Sequence, residues 1–419
     1  MVEFGHRSSL TIRLLGPSTD RARWRKPLIA EGFVIPVGGP TKVCLADLAG
    51  KRPVDVAIDQ AQEQAGVTPL VVVIGLDDPL PCRTHPGVVL VRRAENSIEP
   101  VPRALRQAVY HRLLADAASV RYRALSSIGL PFRRDDTFEQ TATTCALLAE
   151  PAPTILPILN GVEPMALATS LSSSGTLRLL EGGYTSGLMI HLQEDRDHRL
   201  PVLKLIRRQT DLAGLPVAVT RNSWDEEAIA PWFSAGADLI ARPEEASEVL
   251  AFLQGRASRF QTARNLKAAL AGSTVNENGE PAPLFGEKIF RRICEEHYAQ
   301  GHIIAYGAIE LSAETKVSAE DFAEAGIYLG MALTPLEVFT RLRDNLFVVA
   351  MPGADAFYAR RVMRAMQTLI EDLKFGDEPS PLMMSARHAS FAAVSESPNE
   401  AMDNMLTELR SRSNTPLFA

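Results

Sequence analysis

Short apolar runs alternate with longer amphipathic stretches over the first part of the chain. Each run is rich in β-branched residues and bounded by glycine, proline or charge, as expected of strands buried on both faces of a parallel sheet. The last stretch, from about Pro102, predicts a helix. The pattern predicts an α/β, flavodoxin-like domain over residues 8–125. Its five candidate strands are residues 10–15, 33–37, 54–58, 70–74 and 88–91.

The same alternation repeats and predicts a second flavodoxin-like domain over residues 150–256. A helix from about Glu244 carries Val249, Leu253 and Phe260 near helical spacing and continues as a linker helix over residues 257–271. Its apolar stripe needs a cover, either a second copy of the chain, which would make a homodimer, or the neighbouring domain. The candidate strands are residues 154–159, 177–180, 188–192, 217–220 and 238–240.

The C-terminal part, residues 272–412, has a different rhythm and predicts an α+β domain with an antiparallel or mixed central sheet. A β-hairpin is expected near residues 341–353, because an apolar strand through Val348 and Val349 ends at Pro352. A helix (284–299) and a strand (303–311) precede this hairpin. A helix (357–373), a strand (382–384) and a last helix (400–410) follow it.

Composition narrows the class of protein. The chain has 419 residues, 46% of them hydrophobic, and a net charge of −6, which argues against a general nucleic-acid or membrane surface. No apolar stretch approaches a membrane span, and the first residues lack a signal peptide, so a cytoplasmic protein without membrane insertion is expected. The four cysteines are far apart and predict reduced thiols, and the scattered histidines do not predict a zinc site.

Sequence motifs connect the third domain to a known family. Arg343, Asp344, Asn345, Leu346 and Phe347 lie where GGDEF domains carry Gly-Gly-Asp/Glu-Glu-Phe in their central hairpin, and only the phenylalanine is retained. The third domain therefore resembles a degenerate GGDEF domain.

The second domain resembles a receiver (CheY-type) domain of two-component signalling. Thr220 ends the segment 216–220, and Arg242 precedes Pro243, where receivers usually carry a Thr or Ser and a Lys-Pro pair. The whole chain resembles the PleD/PopA-like family of receiver–receiver–GGDEF proteins. This resemblance implies response regulators, some of which are effectors of cyclic di-GMP.

The resemblance assigns a candidate phosphoacceptor to the first domain. Asp59 ends the predicted third strand, where receivers place the acceptor, although the metal acids expected after the first strand are reduced to Asp20 further along. The alternative is that Asp59 is a strand-end acid facing solvent or an arginine. In the second domain, the predicted first strand ends without acids, and the third ends at His191 or Leu192. Neither residue can form an acyl phosphate, and His191 is expected to be structural.

Cyclase chemistry in the third domain would need two metal-binding acids and a turn that admits GTP. Arg343 and Asp344 stand in place of the glycines, and Asn345 and Leu346 in place of the acids. At the metal positions, Glu310 is the remaining candidate for holding a cation. The resemblance therefore implies a domain without enzyme activity.

Binding of cyclic di-GMP is a separate question. The family's inhibitory Arg-x-x-Asp falls on residues 334–337, where Glu337 keeps the carboxylate but the arginine is replaced. Arg360, Arg361 and Arg364 on the next helix are candidate ligand-binding residues, or else a solvated helix face. The leading hypothesis is a cell-cycle signalling adaptor, located at the cell pole, that binds other signalling or proteolysis-adaptor proteins. The alternatives are a weak cyclic di-GMP sensor and an active diguanylate cyclase.

Overall fold

The fold is that of a computed structural model of the chain. It describes residues 10–36, 41–81, 85, 87–93, 98–132, 144–151, 153–160, 166–182, 185–193, 199–209, 212–222, 226–313, 317–375, 382–393 and 396–413. The chain divides into two compact units. One contains residues 10–112 and 138–264, and the other is built mainly of residues 113–137 and 265–419.

The first domain is a five-stranded parallel sheet with strand order β2-β1-β3-β4-β5, the flavodoxin-like order. The central strands are almost fully buried, as their continuous apolar runs require. The elements are β1 (Leu10–Leu15), α1 (Ser18–Ala30), β2 (Phe33–Val34), β3 (Val43–Asp47), α2 (Val54–Ala65), β4 (Leu70–Gly75), β5 (Val88–Arg93) and α3 (Val101–Ser127).

Four of the five predicted strands of this domain are present, and one is wrong. Residues 54–58 begin helix α2, whose buried residues Val54, Ile58, Ala61 and Ala65 recur at helical spacing. The third strand is instead β3, which ends at Asp47. Asp59 therefore lies on a helix, and its placement at the end of the third strand is wrong.

The second domain repeats this architecture with a parallel sheet of order β10-β9-β8-β6-β7. Its elements are β6 (Thr144–Leu148), α4 (Leu156–Asn160), β7 (Ala166–Ser170), α5 (Ser173–Glu181), β8 (Gly187–Leu192), α6 (Leu200–Arg208), β9 (Val217–Arg221), α7 (Glu226–Ala235), β10 (Leu239–Ala241) and α8 (Ala246–Gly272).

The last three predicted strands of the second domain are present, and the first two are wrong. Residues 154–159 form a short 3₁₀ turn and helix α4, and residues 177–180 belong to helix α5. The first strand is β6, which precedes the predicted domain start at residue 150, and the second is β7. Glu150 follows β6, so the expectation that no acid follows the first strand is also wrong.

The apolar stripe of α8 is covered within the chain. Val249 and Leu253 are fully buried in a core that also contains Ile58, Ile74 and Leu90 of the first domain. That core also contains Cys145, Met189 and Leu239 of the second domain, so the stripe is covered by its own domain and the neighbouring domain together. The stripe gives no support for a homodimer.

The third domain is an antiparallel four-stranded sheet of order β12-β13-β11-β16, with a small β14-β15 ribbon beside it. Two cores, one on each face of the sheet, contain mainly aliphatic, aromatic and methionine side chains. The elements are α9 (Glu287–Ala299), β11 (Ile304–Ser312), α10 (Ala319–Met331), β12 (Val338–Arg343), β13 (Leu346–Pro352), α11 (Ala356–Asp372), β14 (Lys374–Phe375), β15 (Leu382–Met383), β16 (Ser385–Ala393) and α12 (Pro398–Ser413).

The predicted hairpin is present at the expected position. Strands β12 and β13 pair antiparallel around a two-residue turn, Asp344 and Asn345, and Phe347 follows directly on β13. The sequence also predicts α9, β11, α11 and α12 to within a few residues, but it misses most of β16. Among the described residues, no helix combines the length and the apolar composition needed to cross a membrane.

The described cysteines are free thiols, as the sequence predicts. Cys44, Cys145 and Cys294 are all buried and unpaired with one another. The fourth, Cys82, lies outside the described residues.

Candidate functional site

The hairpin turn of the third domain is closed by its own side chains. The guanidinium of Arg341 donates to the carbonyl oxygens of Arg343 (3.2 Å) and Asp344 (3.0 Å) and to the carboxylate of Asp344 (3.2 Å). Asn345 donates from Nδ2 to the carbonyl of Leu311 near the end of β11 (2.9 Å). The residues that stand at the GGDEF positions therefore bond to the hairpin itself and to the neighbouring strand.

Phe347, directly after the turn, packs in the core on the sheet face that carries Phe339. Its side chain is fully buried and stacks on Phe339, with ring centroids 5.8 Å apart. A Cβ at Gly326 of α10 would come within 2.6 Å of the Phe347 ring, so the helix needs glycine there. The retained phenylalanine is thus explained by packing alone.

Glu310, the candidate metal ligand, is engaged by an arginine. Its carboxylate accepts from Arg387 Nη2 at 3.0 Å across the β11–β16 pair. Two residues further on, the Ser312 hydroxyl lies 2.9 Å from the hydroxyl of Ser385. Among the described residues, no group of three or more acidic, histidine or cysteine side chains could hold a metal ion. This donor set does not fit the two-metal site of a cyclase.

Glu337, the candidate ligand-binding acid, lies in the interior. The residue is 5% exposed. One carboxylate oxygen accepts from the backbone N–H (2.7 Å) and the hydroxyl (2.6 Å) of Thr334, and the other accepts from the Tyr358 hydroxyl (3.2 Å). A ligand would have to displace these donors to reach the carboxylate. The sequence alone did not indicate that Thr334, which stands in place of the arginine, is itself the partner of Glu337.

The three candidate arginines lie on α11 in different surroundings. Arg361 lies over the ring of Tyr358 at 5.7 Å and is half-buried. Arg360 and Arg364 are exposed, four residues apart on one helix face. The structure thus connects Glu337, Tyr358 and Arg361 but leaves Arg360 and Arg364 at the surface.

A buried arginine that the sequence did not single out supports the loop before β12. Arg121 of α3 is 1% exposed and donates to the carbonyls of Pro335 (2.6 Å) and Glu337 (2.8 Å). It also donates to the carbonyl of Leu270 near the end of α8 (2.7 Å) and to the Ser273 hydroxyl (3.2 Å). Burial lowers the pKa of Arg121 to about 9.

In the first domain the acid at the end of the third strand is Asp47, not Asp59. Its carboxylate accepts from Trp24 Nε1 at 2.8 Å and lies 3.5 Å from Arg93 at the end of β5. Arg93 also lies over the Trp24 ring at 5.2 Å. Asp47 is therefore shielded by an indole and paired with a guanidinium. Asp59 lies 3.3 Å from the ring of His85.

In the second domain His191 lies near the end of the third strand. Its Nε2 lies 2.8 Å from the Thr154 hydroxyl and its Nδ1 lies 3.1 Å from the Thr220 hydroxyl. Burial, and then the nearby Arg199, lower the pKa of His191. The same Arg199 pairs with Glu150 at 3.3 Å. This network holds a neutral histidine, consistent with the structural role expected for it.

Arg242, the other receiver-like position, is exposed. It follows β10, and its guanidinium lies 3.9 Å from Asp77. Arg242 directly follows Ala241, the strand partner of Thr220, but Arg242 is exposed whereas Thr220 is fully buried beside His191.

Solved structures similar to this chain are GGDEF proteins. The GGDEF domain of DgcB from Caulobacter crescentus, in complex with c-di-GMP, is 12% identical, with a TM-score of 0.27, covering 33% of this chain and 90% of that one. The FimX GGDEF domain from Pseudomonas aeruginosa is 10% identical, with a TM-score of 0.27 and coverages of 33% and 92%. Diguanylate cyclase SiaD from the same organism, in complex with its activator SiaC, is 13% identical, with a TM-score of 0.28 and coverages of 36% and 63%. No protein-family model matches the chain, and no curated protein matches it.

Proposed function

We propose that this chain is a non-catalytic signalling protein in which two receiver-like domains precede a GGDEF-like domain that has lost cyclase chemistry. The observation that carries the proposal is the self-closed hairpin turn. Arg341 binds Asp344, and Asn345 binds the end of β11, at the place where a cyclase would admit GTP and metal ions.

The loss of chemistry extends beyond the turn. A cyclase needs carboxylates free to coordinate two metal ions, whereas Glu310 is paired with Arg387 and its neighbour Ser312 bonds to Ser385. A receiver needs an accessible acceptor aspartate, whereas Asp47 is covered by Trp24 and paired with Arg93. These contacts support a role in binding rather than in catalysis.

The resemblance to receiver–receiver–GGDEF proteins supports an adaptor role. In this role the chain would bring together other signalling or proteolysis-adaptor proteins in bacterial cell-cycle control, in the cytoplasm and at the cell pole. Capture of the tagged chain from its own cells should then recover proteolytic or polar factors. Recovery of neither class would contradict the adaptor role.

The decisive experiment for lost catalysis is a GTP turnover assay with Mg²⁺ or Mn²⁺, in which an active diguanylate cyclase is the positive control. We expect no formation of cyclic di-GMP above the no-enzyme background, because the metal-binding groups are replaced or paired. Turnover that is abolished by Glu310→Gln would overturn the proposal.

A second candidate function, a cyclic di-GMP sensor, is favoured by the exposed pair Arg360 and Arg364. Guanidinium groups four residues apart on a helix can both reach one phosphate-bearing ligand. Calorimetric titration with cyclic di-GMP should then show binding that Arg364→Ala weakens and that Arg410→Ala, at an exposed position of α12, leaves unchanged. A flat titration would exclude the sensor but not the adaptor.

A further inference from the structure

The unit formed by residues 10–112 and 138–264 contains a cavity of about 60 Å³. It lies where α2 and β5 of the first domain meet α8. The walls are mostly apolar and include Ile58, Val88, Leu90 and Phe252. A volume of this size accommodates several water molecules or a small ligand.

Two arginines of α8 also line the cavity. Arg256 donates to the carboxylate of Asp238 (2.8 Å) and to the Leu90 carbonyl (3.2 Å). Arg259 donates to the Val88 carbonyl, a neutral acceptor. Burial, together with repulsion from Arg256, lowers the pKa of Arg259 to about 10. The guanidinium of Arg259 is thus held against an apolar wall with a carbonyl, not a carboxylate, as its acceptor.

Beside the cavity, the buried guanidinium groups around Asp238 outnumber the carboxylates. The carboxylate of Asp238 is 4% exposed and is approached by Arg207 at 3.0 Å, Arg256 at 2.8 Å and Arg103 at 3.9 Å. Three guanidinium groups therefore share the carboxylate of Asp238, and Arg259 is a fourth guanidinium group nearby that has no carboxylate among its described acceptors. Buried cations in excess of their partners favour an additional anion.

Acids also lie near the cavity, but the described contacts place two of them on a different partner. The carboxylates of Asp55 (2.8 Å) and Asp59 (3.3 Å) share the ring nitrogens of His85, which lines the cavity. Glu248 also lines the cavity and is half-buried. Within the described chain, neither Arg256 nor Arg259 forms an ion pair with Glu248.

We propose that this cavity is a binding site for a small organic anion, a carboxylate with a compact apolar body. The carboxylate is received by Arg259, and the apolar body packs against Phe252, Val88 and Leu90. A guanidinium offers a carboxylate two parallel hydrogen bonds. The apolar walls favour an organic acid over a hydrated inorganic anion, because they offer few polar partners to replace its water.

The test is a titration of the full chain with isobutyrate, followed by saturation-transfer NMR at low chloride concentration. We expect a Kd on the order of 1 mM, within the range open to so small a ligand. Arg259→Gln should weaken binding at least ~10-fold, as loss of a charged hydrogen bond does. Glu248→Gln should strengthen binding about threefold, because it removes a nearby like charge.

Matched controls distinguish binding in the cavity from non-specific attraction of the anion to arginine side chains. Arg264→Gln removes an exposed arginine from the same helix and should leave the Kd unchanged. Isobutyramide, the neutral isostere of isobutyrate, should bind at least ~10-fold more weakly. Gly255→Leu keeps both arginines but projects a side chain into the cavity, and should abolish binding while the higher helix propensity of leucine maintains the fold.

Three results would overturn the proposal. They are no saturation transfer at about 20 mM isobutyrate, equal binding of isobutyramide, and unchanged binding in Gly255→Leu. The last variant decides the matter even if Arg259→Gln does not fold.

Discussion

Removal of the guanidinium of Arg121 should loosen the loop and strand that carry Glu337. In Arg121→Met, the side chain keeps much of its volume but donates no hydrogen bonds. The carbonyls of Leu270, Pro335 and Glu337 and the hydroxyl of Ser273 all lose a charged donor in the interior.

The magnitude follows from two opposing terms. Four hydrogen bonds from a charged donor, at about 2 kcal/mol each, contribute about 8 kcal/mol. Against this, burial that lowers the pKa of Arg121 from 12.5 to about 9 costs about 5 kcal/mol, and the substitution relieves that cost. The net loss of stability is therefore about 3 kcal/mol.

Hydrogen exchange is the suitable assay, since a chain of several domains does not unfold in one two-state step. A loss of about 3 kcal/mol should accelerate exchange of the β12 amides by about 100-fold. Arg123→Met is the matched control, because its side chain is 53% exposed and its contacts lie at the surface. Exchange in Arg121→Met within about threefold of that control would refute the reasoning.

Three further predictions concern other parts of the chain. Burial raises the pKa of Cys145 and Cys294 to about 12, so iodoacetamide at pH 8 should label neither in the native protein and both in urea, as judged by peptide mass spectrometry. Burial lowers the pKa of His191, so the unfolded chain takes up a proton at a higher pH than the folded chain does. The free energy of unfolding should therefore fall as the pH drops below about 6.5. His191→Gln should remove that part of the pH dependence in urea titrations. Asp355 caps α11 by accepting from the Tyr358 N–H, so Asp355→Ala should cost about 1 kcal/mol by chemical denaturation, whereas Asp372→Ala at the other end should cost nothing.

The sequence predicts the third domain better than the first two. Its hairpin is specified locally, by a short polar turn between two strands, and Asp344 and Asn345 form that turn. Parallel sheets give weaker local signals, because their buried strands and short buried helices have similar composition. The two architectures therefore differ in how far the local sequence of one segment determines its secondary structure.

The misassigned segments still carried usable signals. Residues 54–58 look like a strand in isolation, but Pro53 before them and Ala61 after them extend the pattern into a helix. Residues 154–159 contain Pro157, which disfavours a central strand. Ser172 caps α5 by accepting from the Gly175 N–H, which marks residues 177–180 as helical.

Local sequence patterns do not predict which side chains the candidate site residues contact. Arg121 meets Glu337 across 216 positions of sequence, and Arg387 meets Glu310 across 77. Neither pair has a local pattern, and only the folded chain brings the groups together. The acid at the end of the third strand is Asp47 and not Asp59 because the third strand is β3.

One arrangement recurs in all three domains and bears on whether their acids can bind a metal ion. An acid near a strand end is paired with an arginine in each: Asp47 with Arg93, Glu150 with Arg199, and Glu310 with Arg387. A carboxylate compensated by a guanidinium is a poor ligand for a divalent cation, because binding the cation would strand the arginine without its partner. Adding acids beside them by substitution would therefore not create a metal site unless the facing arginines were removed as well. Metal binding at these positions depends on the acid and its facing arginine together, and not on the acid alone.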